Sequence, residues 1–356
     1  MSLTLDSVMG ALRGVRGLPM GMVKDLKITD RNVSLKINLA GANPDVVKEI
    51  ELRTRQALTN SGASSVDLMI DGKVAATAPK TDAQFNKHSV PGVKHIIAVS
   101  SGKGGVGKST VASNLAIALK KLGHKVGLLD SDVYGPNIPT MMGSLEPPMA
   151  RQDATRGELI LPPEAHGVKI MSMGTLNPGD QPLVWRGPML HSIVNQFLMK
   201  VDWAPLDYLI IDMPPGTGDV QLSLTQLVPV SGAVVVTTPQ EVAMQDVRKA
   251  IFMFEKVSVP VLGVVENMSY FVCGKCDEKH YIFGENGAEK LAEKFNIPVL
   301  AKLPLHPSVR EGGDTGVPIA AMLPEGPHAA AFAELGRAVV AAVQKTEAAE
   351  LEVTGF

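Results

Sequence analysis

A glycine-rich run, GKGGVGKS at residues 102–109, constrains the fold of this chain more than any other feature. Its spacing fits the pattern G-x-x-x-x-G-K-[ST], and it follows the apolar run HIIAVSS and precedes apolar positions at helical spacing. In that setting the backbone N–H groups of the loop and the first turn of the helix surround a phosphate group. The sequence therefore predicts a phosphate-binding loop between a buried strand and a helix.

Short apolar runs after residue 94 place this loop in an α/β fold. They lie at 95–101, 125–130, 168–173, 207–213, 232–238, 261–267 and 299–304. Runs of this length, separated by helical stretches, are typical of strands that are buried on both faces of a parallel sheet. We therefore expect a doubly wound, mostly parallel sheet, in which ligands bind beyond the carboxyl ends of the strands.

The chain before this region has a different pattern. Alternating apolar and polar residues at 33–39 and 66–70, with helical spacing around them, predict a small α+β domain over residues 1–78 in the order αββαβ. Residues 79–93, PKTDAQFNKHSVPGV, predict a linker because they contain two prolines and several polar residues without periodicity. Residues 94–356 then form the phosphate-binding domain.

Composition narrows the range of partners. The chain of 356 residues has 34 Lys and Arg against 36 Asp and Glu, a net charge of −2, and its aromatic content is only 4%. No strong positive field and no aromatic stacking platform is present to attract nucleic acid or an acidic membrane. No apolar run approaches the roughly 18 residues of a membrane span, and the N-terminus lacks the apolar segment of a signal peptide. We expect a cytoplasmic protein with neither a nucleic-acid nor a membrane partner.

The residue types in the loop match the binding of a nucleoside triphosphate. The backbone of the loop is expected to wrap the β-phosphate through Gly102, Lys103, Gly104, Gly105, Val106 and Gly107. Lys108 would bridge the β- and γ-phosphates, and the Ser109 hydroxyl would bind Mg²⁺. Thr110 is a candidate contact for the α-phosphate.

Carboxylates follow two further predicted strands. Asp130 and Asp132 come at the end of KVGLLD, and Asp212 ends DYLIID. An Asp at the end of a buried strand beside a phosphate-binding loop holds Mg²⁺ directly or through water. Asp212 is assigned this role, Asp130 is expected to support the water shell of the metal, and Asp132 is the candidate for orienting the attacking water. Asp219 is a candidate helix cap, and its role stays open.

The only cysteines of the chain form one C-x-x-C pair, Cys273 and Cys276. A redox pair usually lies at a helix N-terminus after a strand, which the surrounding Gly-Lys loop fits poorly, and a structural disulfide does not suit a reducing compartment. Zinc needs four ligands, and His280 offers only a third, so zinc would bridge two chains. A [4Fe–4S] cluster needs four thiolates, which a twofold dimer would supply. Spacing alone does not separate bridging zinc from the cluster.

Residues 95–340 resemble the Mrp (ApbC) family of iron–sulfur cluster carrier ATPases. The matching stretches are SSGKGGVGKST, LLDSDVYGPNIP, WRGPM at 185–189, LDYLIIDMPPGTGDV, VTTPQEVA, GVVENMSYFVC and PLHPSVREGGDTGVPI. The resemblance extends to the deviant Walker class that includes nitrogenase iron protein and MinD. It implies that Lys103 reaches the nucleotide of a partner subunit and that Asn267 contacts the adenine edge. No N-K-x-D motif is present, which favours ATP over GTP.

The same resemblance implies a homodimer that assembles a labile [4Fe–4S] cluster on Cys273 and Cys276 of both chains. The cluster would pass to apo iron–sulfur proteins under the control of slow ATP hydrolysis. The small N-terminal domain resembles one that is often fused to bacterial Mrp proteins, but NLAGANPD at 38–45 lacks the cysteine that frequently follows its second strand. The sequence gives no role for Trp185, Arg186, Gly187 and Pro188.

Two other functions compete with this interpretation. A positioning ATPase like MinD or ParA would act at a membrane or on DNA, and it would need a basic amphipathic tail or a basic face. The tail VVAAVQKTEAAELEVTGF is acidic, which counts against this function. The other alternative is a dimeric ATPase in which zinc bridges the two cysteine pairs.

Overall fold

The computed structural model describes residues 4–15, 18–29, 31–39, 44–63, 65–71, 88–133, 135–176 and 187–354. The chain separates into two compact units, residues 1–83 and residues 84–356. Residues 79–87 of the predicted linker lie outside the described residues. The other end of that linker belongs to the second unit, because the N–H of His88 donates to the carbonyl of Leu227 and the first strand of the unit begins at Val93.

The first unit is a three-stranded sheet with two helices. Its elements are α1 Leu5–Arg13, β1 Val23–Thr29, β2 Asn32–Asn38, α2 Pro44–Asn60 and β3 Ser65–Asp71. β2 pairs antiparallel with β1 and parallel with β3. Val33, Leu35 and Ile37 of β2 point into a core with Leu12 and Leu58, which explains the alternating pattern of this strand. The order of elements is αββαβ, as the sequence predicts; residues 40–43 of the segment NLAGANPD lie outside the described residues.

The second unit alternates strands and helices. Its strands are β4 Val93–Ser101, β5 Val126–Asp130, β6 Met149–Asp153, β7 Gly157–Leu161, β8 Glu164–Ala165, β9 Val168–Ser172, β10 Leu206–Asp212, β11 Gly232–Thr237, β12 Val261–Val272, β13 Lys279–His280 and β14 Val299–Pro304. Its helices are α3 Lys108–Lys121, α4 Ile138–Met142, α5 Met173–Leu176, α6 Gly187–Lys200, α7 Asp219–Leu227, α8 Glu241–Lys256, α9 Gly287–Phe295, α10 Pro307–Asp314, α11 Ile319–Met322 and α12 Pro327–Thr354.

The main sheet of this unit has the order β13-β12-β11-β4-β10-β5-β9-β8, with β14 also paired to β12. Every strand from β12 to β9 along this order pairs parallel with its neighbour, and only the short β13 and β8 are antiparallel. All the predicted apolar runs are strands of this sheet. The expectation of a doubly wound, mostly parallel α/β fold is confirmed.

Both faces of the sheet are covered by helices. In β4, Ile96 and Ala98 face one hydrophobic cluster and Ile97 and Val99 face the other. Because both faces are buried, the strands show continuous apolar runs instead of alternation. Among the described residues, no helix is long and apolar enough to cross a membrane.

The topology brings three strand ends together at one edge of the sheet. β4 is the central strand, and β10 and β5 follow it in order, so the register places Asp212 beside Val99 on one side and Asp130 on the other. The loop at 102–107 leaves β4 at this same edge. The sheet therefore positions the phosphate-binding loop and both buried carboxylates next to one another.

Candidate nucleotide site and cysteine hairpin

The loop between β4 and α3 requires glycine at specific positions. Gly105 and Gly107 have φ values of 79° and 80°, in the left-handed region, and Gly107 is the N-cap residue of α3. A Cβ on Gly102 would lie 2.2 Å from the carbonyl carbon of Asp246, so only glycine lets α8 pack this close to the loop. The predicted glycine-rich loop therefore opens α3, with its backbone N–H groups at the helix N-terminus.

The buried carboxylate of Asp212 contacts two of the other predicted site residues. The Nζ of Lys108 lies 2.6 Å from Oδ1 of Asp212, and the hydroxyl of Ser109 donates to Oδ2 of Asp212 at 2.6 Å. Lys108 is 7% exposed and Asp212 only 1%, so this ion pair is shielded from solvent. The structure thus brings together the lysine, the hydroxyl and the carboxylate that the sequence assigns to phosphate and Mg²⁺.

The two buried carboxylates at the carboxyl ends of β5 and β10 favour a bound cation. Burial raises the pKa of Asp212, and the charge and hydrogen bond of Lys108 and the hydrogen bond of Ser109 oppose this shift. Burial also raises the pKa of Asp130 to about 8, and the negative charge of Asp212 adds to the shift. The Ser109 hydroxyl and the Asp212 carboxylate are hard oxygen donors beside the phosphate loop, and this donor set fits Mg²⁺.

Asp130 organises the loop that carries Asp132. Its Oδ1 accepts from the N–H of Asp132 at 3.0 Å, and its Oδ2 accepts from the Ser172 hydroxyl at 2.9 Å and from the N–H of Ile138 at 3.3 Å. These donors come from the loop itself, from β9 and from the start of α4. Asp132 is partly exposed and accepts from the N–H of Gly135 at 3.2 Å. Asp130 therefore holds the backbone of Asp132 in place through protein contacts.

A cavity of about 540 Å³ lies over the phosphate-binding loop. The predicted site residues that line it are Lys103, Gly104, Gly105, Gly107, Lys108, Ser109, Thr110, Asp132 and Asn267. Gly102, Val106, Asp130 and Asp212 do not line it and belong to the surrounding framework, and the two cysteines lie elsewhere. The size of the cavity falls within the range of small-molecule sites.

Part of the cavity wall comes from residues that the sequence interpretation missed. Thr140 and Met141 of α4 contribute, as do Pro304, Leu305, His306 and Arg310 at the end of β14 and in α10. Their position in the sequence could have predicted this role, because they follow a predicted parallel strand and ligands bind beyond the ends of such strands. No residue type among them indicates nucleotide chemistry by itself.

Asn267 lies inside a strand, which corrects the prediction that it ends one. β12 continues to Val272, and Asn267 lies where its pairing with β14 is irregular. The side chain is 5% exposed, and its Nδ2 donates to the carbonyl of Val106 at 2.9 Å. A Cβ on Gly107 would lie 2.1 Å from this nitrogen. Asn267 therefore packs directly on the phosphate-binding loop and lines the cavity.

The cysteine pair lies in a hairpin turn between β12 and β13. The N–H of Cys273 donates to the carbonyl of Glu278 at 2.9 Å, and the N–H of Asp277 donates to the carbonyl of Cys273 at 2.9 Å. Cys276 is exposed and Cys273 is partly exposed. Both thiols are free, and neither lies at a helix N-terminus, which is the usual position of a redox pair.

Backbone donors favour the thiolate form of Cys273. The N–H groups of Lys275 and Cys276, together with the Cys276 side chain, lower the pKa of Cys273. His280 lies on β13 opposite Phe271. Within the described parts of the chain, no three His, Cys, Asp or Glu side chains are grouped to hold a metal, so His280 does not complete a site with the two cysteines.

Two further sequence candidates have simple structural positions. Asp219, whose role the sequence leaves open, is the first residue of α7, and the N-cap position is Gly218. Gly187 and Pro188 begin α6. Trp185 and Arg186 lie outside the described residues.

The fold and the Lys108–Asp212–Ser109 arrangement define a P-loop NTPase. A family model described as ParA, NUBPL iron-transfer P-loop NTPase, matches residues 92–340. The "Iron-sulfur cluster carrier protein" of Synechocystis sp. is 45% identical over 96% of this chain and 98% of its own length. The chain belongs to this iron-transfer family, which confirms the resemblance seen in the sequence.

Two solved structures support the fold. The nucleotide-binding protein of Archaeoglobus fulgidus, in complex with ADP, is 40% identical with a TM-score of 0.55 and covers 63% of this chain and 87% of its own. The cell division ATPase MinD of Pyrococcus furiosus is 26% identical with a TM-score of 0.50 and covers 69% and 98%. Both are similar to the P-loop unit, and the chain is an ATPase of this class.

Proposed function

We propose that this chain is an ATP-binding and ATP-hydrolysing carrier that holds a labile [4Fe–4S] cluster at a dimer interface and delivers it to apo iron–sulfur proteins. The observation that carries this proposal is one unit that contains a complete P-loop site and, in one exposed hairpin, the only two cysteines of the chain. A MinD-like positioning role is not favoured, because the family match is to iron-transfer proteins and the identity to MinD is only 26%.

The ATPase chemistry follows from the exchange of partners at Asp212. With MgATP bound, Lys108 would turn from Asp212 to the β- and γ-phosphates, and Ser109 and Asp212 would hold Mg²⁺. The metal would supply positive charge against the charge that develops on the phosphate oxygens. Asp132 faces the cavity and orients the attacking water, and Asp130 holds its loop. Thr110 contacts the α-phosphate, and Lys103 contacts the nucleotide of the partner subunit.

The stoichiometry of cysteine implies a homodimer. A [4Fe–4S] cluster takes four thiolates, and each chain provides Cys273 and Cys276. A twofold axis beside the hairpin would therefore complete the ligand set. Two ligands per chain leave the cluster with little protein around it, which suits a cargo that is released to other proteins. Free thiols of this kind also favour a reducing compartment, and we place the protein in the cytoplasm.

Anaerobic reconstitution followed by iron, sulfide and zinc analysis tests this function. We expect about two irons per chain, because four thiolates from two chains hold one four-iron cluster. Cys273→Ala should lose this loading. His280→Ala is the matched control on the same hairpin: it should keep its iron, since His280 is not a cluster ligand. Zinc in place of iron in the freshly purified protein would favour the zinc-bridged dimer, and full iron loading of Cys273→Ala would contradict the assignment.

A further inference from the structure

A single strand, β12, carries both the nucleotide contact and the cysteine hairpin. Asn267 and Met268 line the nucleotide cavity, and Cys273 follows the last residue of the strand. The six steps from Asn267 to Cys273 would span about 20 Å in a fully extended chain. The shortest covalent path between ATP and the cluster ligands therefore runs along this strand.

The strand is irregular between the two sites. From Glu266 to Tyr270 it advances four residues, whereas its partner β14 advances two, from Lys302 to Pro304, so β12 contains two extra residues. Met268, within this bulge, has a φ of 55°, a left-handed value that methionine rarely adopts. Bulges re-aim side chains and interrupt the regular pairing, so a continuous ladder of hydrogen bonds to β14 does not hold this segment.

A buried carboxylate fixes the bulge. Glu266 is 1% exposed; its Oε1 accepts from the Ser269 hydroxyl at 2.6 Å and its Oε2 accepts from the N–H of Ala288 at 2.7 Å. Ala288 lies in the first turn of α9. The Ser269–Glu266 hydrogen bond therefore spans the bulge and ties it to α9.

Tyr270 joins the bulge to the cavity and to the hairpin. Its carbonyl accepts from the N–H of Leu305 at 2.7 Å, and Leu305 lines the nucleotide cavity. The ammonium of Lys279, on the second strand of the hairpin, lies 4.6 Å from the centroid of its ring. A shift of the bulge thus reaches the backbone of Cys273 within three residues.

We infer that Ser269 and Glu266 are positioning residues that link the nucleotide cavity to the cysteine hairpin. A nucleotide that contacts Asn267, Met268 and Leu305 changes the preferred arrangement of the bulge, and the Ser269–Glu266 hydrogen bond makes that change a discrete one that Tyr270 passes to Cys273. This inference rests on the proposed ATP-dependent cluster transfer.

The test compares cluster transfer to an apo-ferredoxin, with and without MgATP, in wild type and Ser269→Ala. The variant should keep its ATPase kcat and its iron loading. The ratio between its transfer rates with and without MgATP should come closer to one by about threefold or more, whether ATP speeds or slows transfer in wild type. Ser269→Thr, which keeps the hydroxyl, should restore the effect. Ser231→Ala is the matched control, because it removes one hydroxyl that accepts from the N–H of Ile96 near the amino ends of the strands, away from the nucleotide cavity.

An unchanged ATP effect in Ser269→Ala overturns the inference, and so does loss of its ATPase or iron loading, because Ser269 would then support one site instead of the link. A wild-type protein without cluster or ATP response instead contradicts the proposed function. Hydrogen exchange on wild type is independent of any variant: a nonhydrolysable ATP analogue should alter amide protection over residues 268–280, and no change there also overturns the inference.

Discussion

At the scale of single residues, Asp212 organises the phosphate-binding site. Its two oxygens separately hold Lys108 and the Ser109 hydroxyl, which are the groups that phosphate and Mg²⁺ need. Removal of one partner from a buried ion pair leaves an uncompensated charge, so Asp212 and Lys108 hold each other in position. Under the proposed function, this contact is exchanged when ATP binds.

Asp212→Asn should lower the ATPase kcat by about a hundredfold or more, the usual effect of losing one group that stabilises developing charge. The amide keeps the shape of the side chain but cannot neutralise Mg²⁺. Steady-state phosphate release measures kcat. Asp207→Asn is the matched control on the same strand: Asp207 lies at the amino end of β10 and bonds the N–H of Lys125. Equal activity of Asp212→Asn and wild type would contradict the role of Asp212.

Cys273 should react as a thiolate at lower pH than an ordinary cysteine. The pKa of Cys273 is lowered. At a pH below the ordinary pKa of a cysteine, a larger fraction of Cys273 is therefore thiolate, and this difference is lost as the pH falls through the lowered pKa. Iodoacetamide labelling of the apo-protein against pH, followed by peptide mass spectrometry, measures the midpoint. A midpoint for Cys273 at or above that of a cysteine in a model peptide would contradict the hydrogen bonding seen in the hairpin.

At the scale of elements, the strands that are buried on both faces are the ones that the sequence predicts best. The run 261–267 identifies β12, but not its extension to Val272. The extension was missed because Met268 adopts a positive φ and the pairing with β14 shifts there, and neither has a sequence signal. Its last residues are only partly buried.

The side wall of the cavity was missed for a related reason. α4 and α10 reach it because Gly143 and Gly316 pack together, and a Cβ on Gly316 would lie 2.6 Å from the Cα of Gly143. These glycines are 173 positions apart (316 − 143) in the sequence. A contact between distant glycines leaves no local pattern, whereas the phosphate-binding loop is encoded in eight consecutive residues.

Gly107→Ala should destabilise the start of α3. An alanine would have to adopt a φ of 80°, which costs about 1–3 kcal/mol, and its Cβ would collide with the amide of Asn267. At about 2–4 °C per kcal/mol in a domain of this size, the Tm should fall by several degrees. Calorimetry of the apo-protein measures this change.

Gly104→Ala is the control for stability, because its Cβ would meet nothing within 4 Å and its φ is not positive. Its Tm should stay within about 1 °C of wild type, as expected of a substitution without strain. Equal Tm values for the two variants would show that the packing of Asn267 on Gly107 does not constrain the loop.

At the scale of the whole molecule, each unit has its own hydrophobic core. Among the described residues, the core of the first unit runs from Val8 to Leu68, and the two cores of the second begin at Val90. The family match begins at residue 92. The described residues that line the nucleotide cavity and form the cysteine hairpin all belong to the second unit.

A chain of residues 84–356 should fold and keep both activities. It retains His88, whose N–H bonds Leu227, and all strands of the main sheet. We expect its ATPase kcat and its iron loading per chain to stay within about twofold of the full-length protein, because the described residues that line the cavity all remain. Phosphate release and anaerobic iron analysis on both proteins check this. A truncated chain that folds, with the same far-UV circular dichroism per residue, but fails to load iron would show that the first unit takes part in cluster assembly.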